Sequence, residues 1–162
     1  MLRFKLAIIL VFLTAIVFGQ KPIQNNIYLE LGGNGIFLSL NYERKIIEKA
    51  NIYAHLGVGM YGIQPTYVTI PFGINYLLKV KGPNNFVEFG LGATYSKAII
   101  SLFGVVEKND TEPKGIKNIN FIPSISYRWH TRKNFMYKIG ITPIFNRYDS
   151  FPFFGFSVGK LF

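Results

Sequence analysis

The chain has 162 residues, is 49% hydrophobic and 17% aromatic, and carries a formal charge of +10. That length suits a single domain. The absence of Cys excludes a disulfide framework, a thiolate metal site and a cysteine-borne lipid anchor.

Residues 1–19 read as a cleavable signal peptide. Arg3 and Lys5 form a positive start, and Leu6 to Phe18 is an unbroken apolar run of 13 residues. A spanning helix needs about 20 apolar residues, so this run suits a leader better than an anchor. Val17 and Gly19 place cleavage before Gln20. Losing Arg3 and Lys5 leaves 10 − 2 = +8 on the mature chain, residues 20–162.

After a polar lead-in, the chain alternates with period two, the signature of β-strands with two unlike faces. The first run sets Ile27, Leu29 and Leu31 against Tyr28, Glu30 and Gly32. A tight Gly32–Gly35 turn follows, its glycines permitting positive φ. The second run sets Ile36, Leu38, Leu40 and Tyr42 against Phe37, Ser39, Asn41 and Glu43. In the third, Ile52 to Met60 oppose Tyr53, His55, Gly57 and Gly59. The fourth, about Thr66 to Val80, contains Pro71, which predicts a bulge or a missing ladder bond. The fifth sets Val87, Phe89 and Leu91 against Glu88, Gly90 and Gly92.

Ser96–Lys117 is the longest connection, apolar at first and then polar. It reads as strand extensions under a mobile tip. The sixth run sets Phe121, Ile125, Tyr127 and Trp129 against Asn120, Ser124, Ser126 and Arg128. The seventh sets Phe135, Tyr137, Ile139 and Ile141 against Lys138, Gly140 and Thr142. The last carries Phe154, Phe156 and Val158 on one face and Gly155, Ser157 and Gly159 on the other, and ends on Phe162.

Eight strands with a bulky apolar face and a face of glycine, hydroxyl and charge fit a barrel whose outside is lipid. No apolar run after the leader approaches the length of a membrane-spanning helix. A membrane location therefore demands closure, because only helices and closed barrels satisfy every backbone group in lipid. The connections Lys45–Ala50, Lys81–Asn84 and His130–Lys133 are short and read as periplasmic turns. Gly32–Gly35, Gly62–Pro65, Ser96–Lys117 and Asn146–Ser150 then lie outside the cell. Tyr42, Tyr76, Tyr127, Trp129 and Phe135 fall near the periplasmic ends, where amphipathic rings sit at headgroup level.

The opening hairpin YLELGGNGIFLSLNYER, the strands TIPFGINYLL and VEFGLGATYS, the leader and the terminal Phe162 together resemble the small outer-membrane β-barrel proteins of Gram-negative bacteria, of the OmpA-barrel and OmpX type. The resemblance covers the mature chain. It implies an all-β, eight-stranded antiparallel up-and-down transmembrane β-barrel in the cell outer membrane, with Phe162 as a C-terminal signal for the barrel-assembly machinery. Its aromatic signature departs at Lys160. The resemblance is architectural and is tied to no reaction.

In that arrangement Glu30, Glu43, His55, Glu88, Arg128 and Lys138 point into the lumen. An eight-stranded lumen is nearly filled by side chains, so charges there must pair. The plain reading is an internal polar network. The sharper readings are a proton or solute path, or a carboxylate–His pair. No Cys/His cluster suggests zinc and no acidic loop suggests calcium, so no metal or cofactor is expected. The dispersed cations at strand ends, among them Arg44, Lys45, Lys79, Lys81, Arg132 and Lys133, suit anionic lipid headgroups better than nucleic acid. External Lys97, Lys108, Lys114, Lys117 and Arg147 suit lipopolysaccharide phosphates.

The leading expectation is a monomeric, non-enzymatic barrel with a structural, surface-interaction or narrow-channel role. Ser96–Lys117 is the candidate for specific contacts. Two alternatives stay open: a lipid-A-modifying enzyme, and a secreted soluble barrel of lipocalin type with its apolar faces inward.

Overall fold

The structure is a computed structural model that describes residues 24–47, 49–62, 66–80, 82–96, 99–101, 104–106, 119–146 and 150–162. The leader at 1–19 and most of the 96–117 connection lie outside these residues. So do Lys81, Lys97, Lys108, Lys114, Lys117 and Arg147.

Eight long strands form the wall: β1 (Asn25–Gly32), β2 (Leu38–Ile47), β3 (Ile52–Tyr61), β4 (Tyr67–Lys79), β5 (Asn85–Ser96), β6 (Ile119–His130), β7 (Phe135–Ile141) and β8 (Phe154–Leu161). Every sequential pair is antiparallel. The ring closes where β1 meets β8, from Asn26 opposite Leu161 to Gly32 opposite Gly155. Closure removes the unpaired edges that an open sheet would expose. No helix among the described residues is long and apolar enough to cross a membrane.

The alternation places the apolar face outward. Phe154 is 67% exposed, Val58 62% and Leu56 59%, while Glu43, Glu88 and Ser157 are at 0%. In water such a continuous apolar exterior would be an aggregation surface. Against lipid it is the expected band of a transmembrane barrel. The lipocalin-type alternative, which needs those faces inside, is thereby overturned.

Local expectations are corrected. Ile36 does not share the outer face with Leu40: it is buried, and Phe37 is exposed instead. The cause is the backbone at Ile36, whose φ of 77° flips the alternation as the chain leaves a 3₁₀ turn at Gly33–Gly35. That turn is itself buried. Ile99–Ser101 pairs with Gly104–Val106 as a separate small hairpin, not as an extension of β5 against β6.

Strands β7 and β8 are each interrupted, at Pro143 and Pro152, which lack a donor N–H. Beyond the break the hairpin resumes, with Ile144 opposite Phe151. A hydrogen bond from the Thr142 N–H to the Phe153 carbonyl, 2.8 Å, bridges the gap. Pro71 behaves differently. Pairing of β4 with β5 runs through it unbroken. On the β3 side the ladder lapses between Leu56–Phe72 and Gly59–Thr69 and resumes in the same register. Of the two outcomes expected there, the structure takes missing pairing over a bulge.

Candidate functional site

The lumen is built by inward residues of all eight strands. Glycines are part of the design, because each leaves room for a polar side chain on the neighbouring strand. A Cβ on Gly57 would collide with the Asn41 amide, one on Gly90 with the Ser124 hydroxyl, and one on Gly140 with the Ser126 hydroxyl. These are cross-strand partners by register.

Into that space the strands bring Glu30 from β1, Glu43 from β2, His55 from β3, Glu88 from β5, Arg128 from β6 and Lys138 from β7, all buried. Arg128 is the hub. Its Nη2 donates to Glu43 Oε2 at 2.5 Å, and its Nη1 donates to Glu88 Oε2 at 2.7 Å and Glu43 Oε1 at 3.1 Å. Strands β6 and β2 lie on opposite sides of the ring. The Arg128–Glu43 pair therefore spans the bore. Lys138 Nζ reaches Glu88 at 3.2 Å and Glu30 at 3.5 Å, and lies 4.9 Å from the centre of the Tyr28 ring.

Three carboxylates face two cations, so with His55 neutral the network carries one uncompensated negative charge. Backbone donors meet it. Glu30 Oε2 accepts the N–H groups of Asn34 at 3.1 Å and Gly35 at 3.4 Å, while Ser157 donates to Oε1 at 3.2 Å. The buried turn is thus the third counter-charge of the network. Thr69 donates to the Gly35 carbonyl at 3.2 Å and Thr94 donates to that of Asn34. The turn is tied to β1, β4 and β5 and lies buried within the bore.

His55 joins turn and network. Asn75 Nδ2 donates to Glu43 Oε1 at 2.9 Å, which orients its amide, and lies 3.3 Å from His55 Nδ1. Nδ1 therefore accepts, and the proton belongs on Nε2. The Asn34 amide lies 3.1 Å from Nε2, and its Oδ1 has no other partner. Turning that amide over gives the Nε2–H an acceptor in place of a second donor. A continuous chain then runs from Arg128 through Glu43, Asn75 and His55 to Asn34.

Two apolar layers flank the polar one. Ile36, Ile122, Ile144 and Phe151 form a buried cluster with Tyr61 and Phe153 packed against it. Tyr28, Met136 and Leu161 form another. Alternation places Met136 and Tyr28 inside, yet the apolar clusters were not legible as a unit. The first depends on the flip at Ile36 and on the Ile144–Phe151 pairing past the break at Pro143 and Pro152. His130 is half-buried at the other end, where it accepts from Arg128 Nε at 3.1 Å and packs on Phe86. Neither His faces the lipid side. Among the described residues, no group of three side chains is placed to hold a metal ion. Phe162 is exposed, and its backbone pairs with Asn25 through two hydrogen bonds of 3.0 Å.

No protein-family model matches the sequence, and no curated protein matches it either. Two solved structures match the fold. The Yersinia pestis outer membrane protein Ail, determined in a phospholipid bilayer nanodisc, aligns with TM-score 0.55 at 10% identity, covering 87% of this chain and all of Ail. The N-terminal β-barrel domain of Pseudomonas aeruginosa OprF aligns with TM-score 0.57 at 10% identity, covering 86% of this chain and 96% of that domain. At such identity the likeness speaks for architecture alone, and the closed ring, outward apolar face and polar lumen match it independently. The chain has the fold of the small eight-stranded outer-membrane β-barrels.

Proposed function

We propose that this protein is an integral outer-membrane barrel with a sealed lumen, non-enzymatic, serving a structural or surface-contact role. The observation that carries the reading is the Arg128–Glu43 pair spanning the bore, with the Gly33–Gly35 turn seated over it. A water path would have to break a buried ion pair and expel a turn bonded to three strands. Export by the 1–19 leader, assembly through the Phe162 signal and contact of the external connections with lipopolysaccharide belong to this proposal.

The reading favours a packed barrel over a narrow channel. Purified protein in a planar bilayer is expected to pass no single-channel current above background, while the folded protein shows a heat-modifiable gel shift. A sustained conductance from protein with that shift would refute the sealed reading. The lipid-A-modifying alternative draws little support, because the two His residues lie away from the lipid face and their hydrogen-bond partners among the described residues are Asn34, Asn75 and Arg128, not a Ser nucleophile. Incubation with lipid A is expected to leave its mass unchanged.

A further inference from the structure

Apart from Arg128 and Lys138, the described cations have no acidic partner among the described residues, and all of them lie at one end of the barrel. The acidic residues among the described ones are Glu30, Glu43 and Glu88, all inside the lumen. At the short-turn end of the barrel, Arg44 and Lys49 are exposed and Lys45 is half-buried around the β2–β3 turn. Lys79 is exposed at the end of β4, and Arg132 and Lys133 in the β6–β7 turn. Lys160 is exposed on β8, beside that turn.

Two of these ammonium groups are held in place. Lys160 Nζ donates to the Lys133 carbonyl at 2.7 Å and lies 4.5 Å from the centre of the Phe135 ring. Lys45 Nζ donates to Asn51 Oδ1 at 2.9 Å. Just membraneward of the rim is a layer of amphipathic rings. Trp129 stacks on Tyr137 with centroids 5.3 Å apart and lies 6.0 Å from Tyr127, while the Tyr42 hydroxyl donates to Asn25 at 2.8 Å. Rings at the headgroup level with cations immediately beyond them form a surface that meets phosphate oxygens.

We infer that the short-turn rim is a binding surface for anionic glycerophospholipids of the leaflet that surrounds it. The β6–β7 turn with Lys160 is its best-ordered part. This rests on the membrane reading above. A zwitterionic headgroup brings its own ammonium to the rim and gains less from it. An anionic headgroup brings only the phosphodiester and its net charge, which the uncompensated cations attract. The long stems of Lys and Arg let the charged ends reach headgroup depth while the rings remain in the interface.

The chain carries its own reporter, because Trp129 is its only Trp and sits between Lys79 on one flank and the Arg132, Lys133 and Lys160 group on the other. The test places the full chain in phosphatidylcholine vesicles containing either brominated phosphatidylglycerol or brominated phosphatidylcholine. Trp129 quenching is then read against lipid fraction. At low salt the anionic lipid is expected to associate about fivefold more strongly at this site. The preference is expected to fall towards unity near ~1 M salt and in the triple variant R132Q/K133Q/K160Q. Equal quenching by the two lipids, or a preference untouched by salt, overturns the inference. The salt arm uses the unaltered protein and so decides the matter even if the variant folds poorly. Heat modifiability, read in parallel, reports failure of the barrel itself.

Discussion

Replacing Arg128 with Met is expected to destabilise the folded barrel by about 3–5 kcal/mol, the range for removing one partner of a buried ion network. Glu43 and Glu88 would remain buried, each having lost its closest cation at 2.5 and 2.7 Å. Lys138 cannot replace it, being already shared between Glu88 and Glu30. The measurement is the urea midpoint of the heat-modifiable species in lipid vesicles. The informative companion is R128M/E43Q/E88Q, which removes the charges together. It is expected to recover most of the loss, because neutral amides leave no naked charge in the bore. A triple variant as unstable as R128M alone would show that packing of the long Arg128 side chain matters more than its charge.

The second large effect is expected at Gly32, where β1 runs into the buried turn and pairs with Gly155 across the closing seam. Its backbone stands at φ 70°, ψ −145°, a region essentially reserved for glycine. A Cβ there would also strike the carbonyl oxygen of Phe154, a backbone atom that cannot rotate away. Gly32→Val is expected to cost about 3 kcal/mol or more, strain and steric overlap acting together. Its visible result is a loss of the heat-modifiable form during refolding. Gly82 provides the control. Its φ of 99° is also positive, but a Cβ there would meet only the Asn85 amide nitrogen, at 3.2 Å. Gly82→Ala should therefore show the conformational strain alone, about 1 kcal/mol. Equal losses at both positions would mean that the seam contact contributes nothing.

The faces of the strands were legible because the lipid and the lumen impose opposite demands on neighbouring residues. Leu29 and Glu30, or Phe156 and Ser157, cannot exchange sides without placing a charge in hydrocarbon or a greasy chain in the polar core. The same logic placed Glu43, His55, Glu88, Arg128 and Lys138 inside. It could not say who pairs with whom. Arg128 and Glu43 are 85 positions apart, and their meeting depends on the ring closing with β2 and β6 on opposite sides. Alternation also failed where the backbone leaves the strand region, as at Ile36.

Read alone, the amino-acid order determined the strand count, the outward apolar face and the charged character of the interior, since each follows from a period of two and from the chemistry of single residues. Only the folded ring decided that the Gly33–Gly35 turn swings inward to act as counter-charge for Glu30 and that Arg128 bridges the bore. The first needs a backbone that leaves the strand region at Gly32–Ile36, and the second a contact between residues 85 positions apart, which closure of the sheet creates and alternation does not encode.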